Sequence, residues 1–270
     1  MARIRYRKPH RYKRKKSILK KRFFWLGILI LLILFSTFYF LFFSRTFQVT
    51  KIIISGEEKV AKGDIESLVG QKLENSILFL KTRSIFAIDL GQIKKDILGR
   101  YPQIAKAEVS RGFFDAIKVE LAERQALAVW CSQSCFLIDG EGIIFALSAE
   151  ALAEAERISE TGTNLLIVRT ESGSGKLGDS VIAKELLSQV FEIKTQVEGS
   201  AGVPVQEALL VSEERLNLKT AEGWQIYFNL KGDLNWQFTE LKLVLEKQIS
   251  PQKRGKLEYI DLRFSRVYYK

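Results

Sequence analysis

A single uninterrupted apolar stretch places the strongest constraint on this chain. Residues 23–44 contain no charged side chain, and Phe, Leu and Ile fill most of the 22 positions. As a helix, the stretch would be about 33 Å long, which matches a bilayer hydrocarbon core of about 30 Å. Trp25 and Tyr39 lie near its ends, where aromatic residues favour the membrane interfaces. The sequence therefore predicts one membrane-spanning helix over residues 23–44.

The main alternative to a membrane anchor is a cleaved secretory signal. Such signals combine a short basic region, an apolar core of about 7–15 residues and a small-x-small cleavage site. Here the basic and apolar regions are both longer, and residues 42–45 offer no such site. We therefore predict an uncleaved anchor of the inner (plasma) membrane. Because Lys and Arg remain on the cytoplasmic side, the N-terminus is expected in the cytoplasm and residues 45–270 outside it.

The charge of the chain is concentrated in one short segment. The formal net charge at pH 7 is +11, from 42 Lys and Arg against 31 Asp and Glu. Twelve of the basic residues lie within residues 1–22, which leaves 30 basic and 31 acidic side chains for the rest. A near-neutral body argues against a nucleic-acid-binding domain. The basic tail is expected to fix the orientation and to attract anionic lipids, with nucleic-acid binding as a lesser alternative.

Residues 45–124 have the pattern of a small α+β domain. A strand is predicted over 47–55, followed by helices over about 61–70 and 89–100. In the second helix, Ile93, Ile97 and Tyr101 repeat at intervals of four and predict one buried face. Ile117, Val119 and Leu121 then alternate with polar residues in the second of two strands joined around Gly112. The order strand, helix, helix, strand, strand predicts a small sheet covered by two helices.

Residues 125–270 are richer in strand patterns. The segments LAVWC and CFLID are expected to pair, and Gly140 and Gly142 mark a turn into the strand Ile143–Phe145. Helices are predicted over 181–198 and 234–249, because each has one apolar stripe. A mostly antiparallel sheet with two helices on one face accounts for these patterns.

The two cysteines, Cys131 and Cys135, leave three alternatives open. They flank a short hairpin outside the cytoplasm, so they are candidate disulfide partners, and free thiols are the second alternative. A metal or redox site is the third. The spacing is not C-x-x-C, and the only histidine, His10, belongs to the predicted cytoplasmic tail. No metal site or cofactor is therefore expected.

Enzymatic chemistry finds little support in residues 45–270. Their lack of histidine excludes Ser-His-Asp and Cys-His arrangements. Residues 173–178 match G-x-G-x-x-G, but that fingerprint requires a βαβ unit, and a flexible loop explains it better. Paired carboxylates stay open as catalytic candidates, although no sequence pattern singles out any of Asp139, Glu141, Asp233 and Asp261. We expect no enzymatic activity and no small-molecule substrate.

Four stretches of the chain, in their order and spacing, resemble the bacterial cell-division family FtsQ, called DivIB in Gram-positive bacteria. They are FQVTKIIISG, YPQIAKAEVSRGFFDAIKVELAER, ERQALAVW followed by LIDGEGIIF, and LEYIDLRFSRVYYK. The resemblance implies a single-pass membrane protein with a cytoplasmic tail (1–22), a transmembrane helix (23–44), a POTRA domain (45–124) and an FtsQ-type β domain (125–270).

The resemblance also implies a function without catalysis. Members of the family assemble the division machinery at the septum by binding the single-pass proteins FtsB (DivIC) and FtsL. The partner is expected on the last strands of the β domain, which here correspond to Asp261, Leu262, Arg263, Phe264, Ser265, Arg266, Val267, Tyr268 and Tyr269. The alternative for Phe264 and Tyr268 is that both are core residues of a terminal hairpin. The alternative function is a membrane-anchored POTRA-type module that binds exported or outer-membrane polypeptides.

Overall fold

The computed structural model describes residues 22–77, 79–147, 165–171 and 173–270 of the chain. Except for Arg22, the predicted basic tail lies outside the described residues. Within them, the chain divides into two units, each built from separate stretches of sequence. The first contains the described residues up to Ile53, with Ser67–Leu90 and Ser110–Lys118. The second contains Ile54–Glu66, Gly91–Val109 and the described residues of Val119–Lys270.

The apolar stretch forms helix α1, Arg22–Phe43. Its most apolar window has a mean hydropathy of 2.6, and none of its residues is buried within the protein. Because apolar side chains cover all sides of α1, the helix needs an apolar environment that the described part of the chain does not supply. α1 is therefore a candidate single membrane span, and a short 3₁₀ turn, Arg45–Phe47, follows it.

The segment after the membrane helix forms a three-stranded sheet and two helices. The strands are β1 (Lys51–Ser55), β4 (Ile104–Arg111) and β5 (Ala116–Glu123), in the order β1-β5-β4. The helices are α2 (Lys62–Lys72) and α3 (Leu90–Arg100). Ile93 and Ile97 of α3 are buried, as their spacing predicts. A hairpin of β2 (Asn75–Ile77) and β3 (Leu80–Thr82), which the sequence analysis did not predict, lies between the helices in sequence.

A sheet of nine strands dominates the described residues after β5. Its order is β14-β13-β12-β11-β10-β9-β6-β7-β8. Five of the eight neighbouring pairs are antiparallel, while β6–β9, β9–β10 and β12–β13 are parallel. The mostly antiparallel sheet of the sequence analysis is confirmed. The strands are β6 (Ala128–Cys131), β7 (Cys135–Ile138), β8 (Ile144–Leu147), β9 (Leu166–Thr170), β10 (Val205–Ser212), β11 (Arg215–Thr220), β12 (Gln225–Asn229), β13 (Tyr259–Asp261) and β14 (Tyr268–Tyr269).

Two long helices contribute to the main core with this sheet. They are α4 (Lys184–Ala201) and α5 (Leu234–Lys247), and a single turn, α6 (Pro251–Arg254), follows. Val190 and Val197 of α4 and Leu241 of α5 are fully buried in one cluster with the inward side chains of the strands. The bulkiest members of that cluster include Trp130, Trp224 and Phe228. The apolar stripes that the sequence predicts for these two helices therefore face the core.

One glycine of the β7–β8 turn is required by its backbone. Gly142 has φ of +72°, and a Cβ placed there would lie 2.0 Å from the carbonyl oxygen of Ile182. Its N–H donates to the carbonyl of Asp139, and its carbonyl accepts from the N–H of Val181. Only glycine combines a positive φ with so close an approach of another backbone segment. Gly142 therefore allows the backbone of Val181 and Ile182 to pack directly against the β7–β8 turn.

Candidate partner-binding site

Strand β14 lies at one end of the nine-stranded sheet. Ile260 pairs with Tyr269 and Asp261 pairs with Tyr268 in an antiparallel ladder. The ladder continues at Lys270, whose N–H donates to the carbonyl of Tyr259 at 3.2 Å and whose carbonyl accepts from Glu258 at 2.6 Å. Within the described residues, no strand pairs with the other side of β14. The strand therefore has one bonded side and one open side.

The open side of β14 presents backbone groups. Successive residues of a strand direct their N–H and C=O groups to opposite sides. Since Lys270 bonds to β13 through both groups, the N–H and C=O of Tyr269 point away from the sheet. An extended segment of another protein could pair with Tyr269 and continue the ladder by one strand.

Three aromatic side chains stand exposed around this edge. Phe264, Tyr268 and Tyr269 are 55%, 54% and 47% exposed, whereas Ile260 and Leu262 are buried in the core. The Phe264 and Tyr268 rings meet edge to face with centroids 5.9 Å apart. The alternative that Phe264 and Tyr268 are core residues is therefore wrong. Large exposed aromatic side chains at a strand edge are typical of protein contact surfaces.

Arg263 and Asp261 form a close ion pair beside the edge. The guanidinium donates to both carboxylate oxygens at 2.8 and 2.6 Å, and the Arg263 N–H donates to the same carboxylate at 3.1 Å. Burial alone would raise the pKa of Asp261, but the hydrogen bonds from Arg263 outweigh it and lower that pKa. The pair holds the chain in a turn directly after β13, so its first role is structural.

The remaining predicted site residues differ in accessibility. Ser265 and Arg266 are exposed in the loop between β13 and β14, and Val267 is half-buried against the main core. Leu262 is buried, and its N–H donates to the carbonyl of Tyr227 at 3.0 Å. The nine residues therefore separate into a supporting group, made by Asp261, Leu262, Arg263 and Val267, and an accessible group, made by Phe264, Ser265, Arg266, Tyr268 and Tyr269.

The surface extends to residues that the sequence analysis did not single out. Tyr227 of β12 stacks on Tyr259 of β13 with centroids 5.4 Å apart. The guanidinium groups of Arg215 and Arg263 lie 5.3 and 5.4 Å from the Tyr227 ring centre. The alternation in WQIYFNL could have revealed Tyr227, since Ile226 and Phe228 face the core and Tyr227 must face the other way. Arg215 belongs to β11, which is distant in sequence from β13 and β14. Its position beside Tyr227 could be assigned only from the pairing of β11 with β12.

The structure joins Cys131 and Cys135 by a disulfide. The two residues face each other at the end of the β6–β7 ladder. Among the described residues, no cluster of three potential metal ligands from His, Cys, Asp and Glu occurs.

The carboxylates that were catalytic candidates have separate structural partners. Asp139 receives hydrogen bonds from Arg124 and from two backbone N–H groups of its own turn. Glu141 pairs with Lys184, and Asp233 caps α5 by accepting from the N–H of Trp236. Each of these carboxylates therefore has a partner of its own, and the contacts of Asp139 and Asp233 stabilise a turn and a helix end.

The glycine-rich segment of residues 173–178 lies within a βαβ unit, in the connection from β9 to α4, because β10 follows α4 and pairs with β9 in parallel. The segment packs against β8 and Trp130. The N–H of Gly178 donates to the carbonyl of Ile144 at 2.8 Å. A Cβ on Gly175 would lie 2.4 Å from the side chain of Ile144. The glycines serve close packing, and α4 begins only at Lys184, so the segment does not open the helix as the dinucleotide fingerprint requires.

Comparison with protein families identifies both parts of the chain beyond α1. Residues 47–124 match the family model described as POTRA domain, FtsQ-type. Residues 128–263 match the model described as Cell division protein FtsQ/DivIB, C-terminal. The candidate edge begins inside the second match, which reaches Arg263.

Three curated relatives carry the name Cell division protein FtsQ. That of Hahella chejuensis is 23% identical over 207 residues, which cover 77% of this chain and 63% of the relative. That of Neisseria gonorrhoeae is 26% identical over 61% of this chain and 58% of the relative. That of Bradyrhizobium diazoefficiens is 29% identical over 68% of this chain and 45% of the relative. The matched segments thus span between 45% and 63% of these relatives' lengths.

Proposed function

Since this chain belongs to the FtsQ/DivIB family of cell-division proteins, we propose that it acts as a non-catalytic scaffold of the division machinery. In this proposal the protein gathers division proteins at the septum by binding FtsB/DivIC-like and FtsL-like partners. The observation that carries the proposal is the open side of β14 with its exposed aromatic side chains.

The proposed binding mode is addition of a strand to β14. The partner's backbone would pair with the N–H and C=O of Tyr269, which gives affinity that depends little on partner sequence. Phe264 and Tyr268, whose rings contact each other, would together supply apolar contact area beside the added strand, and aromatic side chains commonly carry much of the energy of a protein interface. Side-chain contacts would therefore select the partner.

Charge contributes to the proposed selectivity. Arg266 is exposed in the loop before β14, while the charge of Arg263 is already balanced by Asp261. Arg266 is therefore the cation that we assign to a carboxylate of the partner. A rim charge of this kind affects the association rate and its salt dependence more than it affects the final affinity.

The proposed topology follows from α1 and the basic tail. α1 anchors the protein in the inner membrane, the tail of residues 1–22 faces the cytoplasm and anionic lipids, and residues 45–270 lie outside the cytoplasm. The POTRA domain would occupy residues 45–124 and the FtsQ-type β domain residues 125–270. The edge of β14 is then accessible to single-pass partners that carry their own domains on the same side.

A backbone variant tests strand addition more cleanly than a deletion. Removing residues 264–270 would also remove the strand that pairs with Ile260 and Asp261, and so disturb β13 itself. Tyr269→Pro removes the outward N–H and keeps the Lys270 bonds to β13, and proline is tolerated on edge strands. Tyr269→Ala removes the ring but retains the N–H. We expect Tyr269→Pro to reduce co-purification of the FtsB-like partner far more than Tyr269→Ala does.

Two results would count against the proposal. Co-purification by Tyr269→Pro at the level of the parent protein would rule out strand addition at β14. Phe264→Ala tests the aromatic contact, and Trp236→Ala is its matched control. Trp236 is an exposed aromatic residue of α5, 56% accessible and distant in sequence from β14. A loss with Trp236→Ala equal to that of Phe264→Ala would indicate a general effect of removing surface aromatics.

Localisation of a fluorescent fusion distinguishes the scaffold from the alternative function. The scaffold predicts midcell localisation and filamentous cells on depletion. Uniform distribution in the envelope with normal division would favour a POTRA-type module that binds exported polypeptides.

A further inference from the structure

Five phenylalanine rings form a contact chain at the end of the membrane helix. Phe40 of α1 lies 5.6 Å from Phe47, measured between ring centroids. Phe47 in turn lies 5.4 Å from Phe86 and 6.1 Å from Phe114. Phe113 meets Phe114 edge to face at 4.8 Å. We call Phe40, Phe47, Phe86, Phe113 and Phe114 the membrane-proximal aromatic patch.

The patch is open on its outer side. Phe86, Phe113 and Phe114 are 47%, 83% and 53% exposed. Exposure of a contiguous group of large apolar rings to water is unfavourable, and such patches in folded proteins mark contact surfaces. A ligand or surface that covers these rings would therefore stabilise the protein.

The backbone of the patch gives a second, independent observation. Phe114 has φ of +52°, a left-handed conformation in which residues other than glycine and asparagine are strained. Glycine would fit this turn of residues 112–115 with less strain. The aromatic ring of Phe114 thus lies at a position where both its exposure and its backbone conformation are unfavourable.

The patch is tied to the end of α1 by hydrogen bonds. The Thr82 hydroxyl donates to the carbonyl of Phe42 at 2.6 Å, and the Gln48 side chain donates to the same oxygen at 3.0 Å. The Ser84 hydroxyl donates to the carbonyl of Leu41 at 3.0 Å. These bonds satisfy carbonyls that the last turn of a helix leaves unpaired. The rings after the helix therefore keep a defined position relative to its end.

We propose that the membrane-proximal aromatic patch inserts into the interfacial region of the outer leaflet of the bilayer that α1 spans. Its occupant is lipid, because the patch is continuous with a lipid-facing ring of α1: Phe40 belongs to the apolar stretch and contacts Phe47 directly. Aromatic and other apolar side chains on a membrane-bound surface characteristically enter this region. The proposal rests on the membrane anchoring proposed above.

The polar groups of the turn are compatible with this depth. The N–H of Gly112 donates to the carbonyl of Ala116 at 2.8 Å, and the N–H of Asp115 donates to the carbonyl of Phe113 at 2.7 Å. The Asp115 carboxylate accepts from the Thr50 hydroxyl at 2.6 Å. Insertion of the Phe113 ring therefore does not leave these two backbone donors unpaired in an apolar region, which would be costly.

Fluorescent labels at single cysteines test the insertion in the full chain. Both native cysteines are in the disulfide, so an added cysteine is the reactive one. Phe113→Cys carries the label on the patch, Glu213→Cys carries it on the exposed β10–β11 turn, and Phe35→Cys carries it on α1. The labelled proteins are reconstituted into vesicles of phosphatidylcholine and phosphatidylglycerol, without any partner protein.

The Phe113 label is expected to emit at a shorter wavelength than the Glu213 label. It should also be quenched by lipids spin-labelled near the head group and lose quenching by aqueous iodide. Because Phe113 is highly exposed within the protein, this substitution leaves the fold intact, and Phe86→Cys provides a second position on the patch. A Phe113 label that behaves like the Glu213 label would overturn the proposal.

The Phe35 label separates failure of the patch from failure of the anchor. Quenching of Phe35 by lipids spin-labelled deep in the acyl chain, with no lipid quenching at Phe113 or Phe86, would leave α1 as the anchor and exclude lipid as the occupant of the patch. A protein partner would then be the remaining occupant. Absence of lipid quenching at Phe35 would reject both the anchor and the insertion.

Discussion

Arg124 donates a charge-assisted hydrogen bond to the carboxylate of Asp139, and both side chains are almost excluded from solvent. Arg124 directly follows β5 and also donates to the carbonyl of Pro102 at 3.0 Å. Asp139 follows β7 and accepts from the N–H groups of Glu141 and Ile143, each at 3.0 Å. The pair therefore links the residue that follows β5 to the end of the β6–β7 hairpin.

We predict that Arg124→Ala lowers the free energy of unfolding by about 2–4 kcal/mol, because it leaves the buried Asp139 charge without its cation. Urea unfolding of the full chain in detergent, followed by circular dichroism, measures the change. Lys106→Ala is the matched control, since the Lys106–Glu108 pair is exposed and its loss should leave the free energy of unfolding almost unchanged. Equal losses for the two variants would show that burial of the Arg124 pair has no energetic role.

The Asp261–Arg263 pair predicts a dependence of stability on pH. The pKa of Asp261 in the folded protein is lowered from its ordinary value of 3.8. The unfolded chain therefore binds the proton at higher pH, so this stabilisation is complete above about pH 4 and is lost as pH falls through the folded pKa. We expect Asp261→Asn to flatten the loss of stability below pH 4, measured by thermal unfolding. An unchanged acid slope would argue against the pair as its source.

Glu123 predicts a second acid-sensitive contact. Burial raises the pKa of Glu123, but the backbone N–H groups of Val60, Glu58 and Lys59 that donate to its carboxylate outweigh burial and lower the pKa below 4.5. The stabilisation is present above pH 4.5 and disappears as pH falls through the folded pKa. Hydrogen exchange should show these three amides losing protection in acid before β5 does. Glu123→Gln should weaken their protection already at pH 7.

Removal of the disulfide should have a modest effect. Only three residues separate Cys131 from Cys135, so the bond closes a small loop and restricts the unfolded chain little. We expect the Cys131→Ser, Cys135→Ser double variant to lose about 1–2 kcal/mol and to retain partner binding. The two cysteines lie far in sequence from β14. A variant that stays folded and fails to bind the partner would indicate a functional role for the disulfide.

Gly142→Ala should be strongly destabilising, because alanine is strained at φ of +72° and its Cβ would clash with the carbonyl of Ile182. We expect a loss of about 3 kcal/mol or more in unfolding free energy. Gly140→Ala in the same turn is the control, since its Cβ would meet only a Leu127 side-chain atom at 3.9 Å. Similar melting temperatures for the two variants would contradict the role assigned to Gly142.

Local patterns predicted much of the fold, and the contacts between distant segments came from the structure. Ile93, Ile97 and the alternation of β5 identified elements whose buried faces repeat with one period. The β2–β3 hairpin has only three residues in each strand and exposes Leu80 and Phe79, so no buried face marks it. The parallel pairs, such as β6–β9, join segments that are distant in sequence and depend on the tertiary arrangement.

The candidate site, like the fold, was predictable from the sequence only in part. The last strands were expected to form the binding edge through family resemblance, whereas accessibility separates exposed Phe264 from buried Leu262. The contribution of Arg215 required the pairing of β11 with β12, which places its guanidinium over Tyr227. Alternation within one strand predicts which face a residue occupies, but the neighbour it meets depends on register between strands.

Strand β14 has two residues and is hydrogen-bonded on one side, so its ordering adds few contacts and should cost little free energy to undo. A partner strand that pairs with the other side would turn β14 into an interior strand. Binding and local folding are then thermodynamically linked, and partner concentration would control how often Tyr268 and Tyr269 are ordered. In the cell, β14 would then be fully ordered only when the partner is bound.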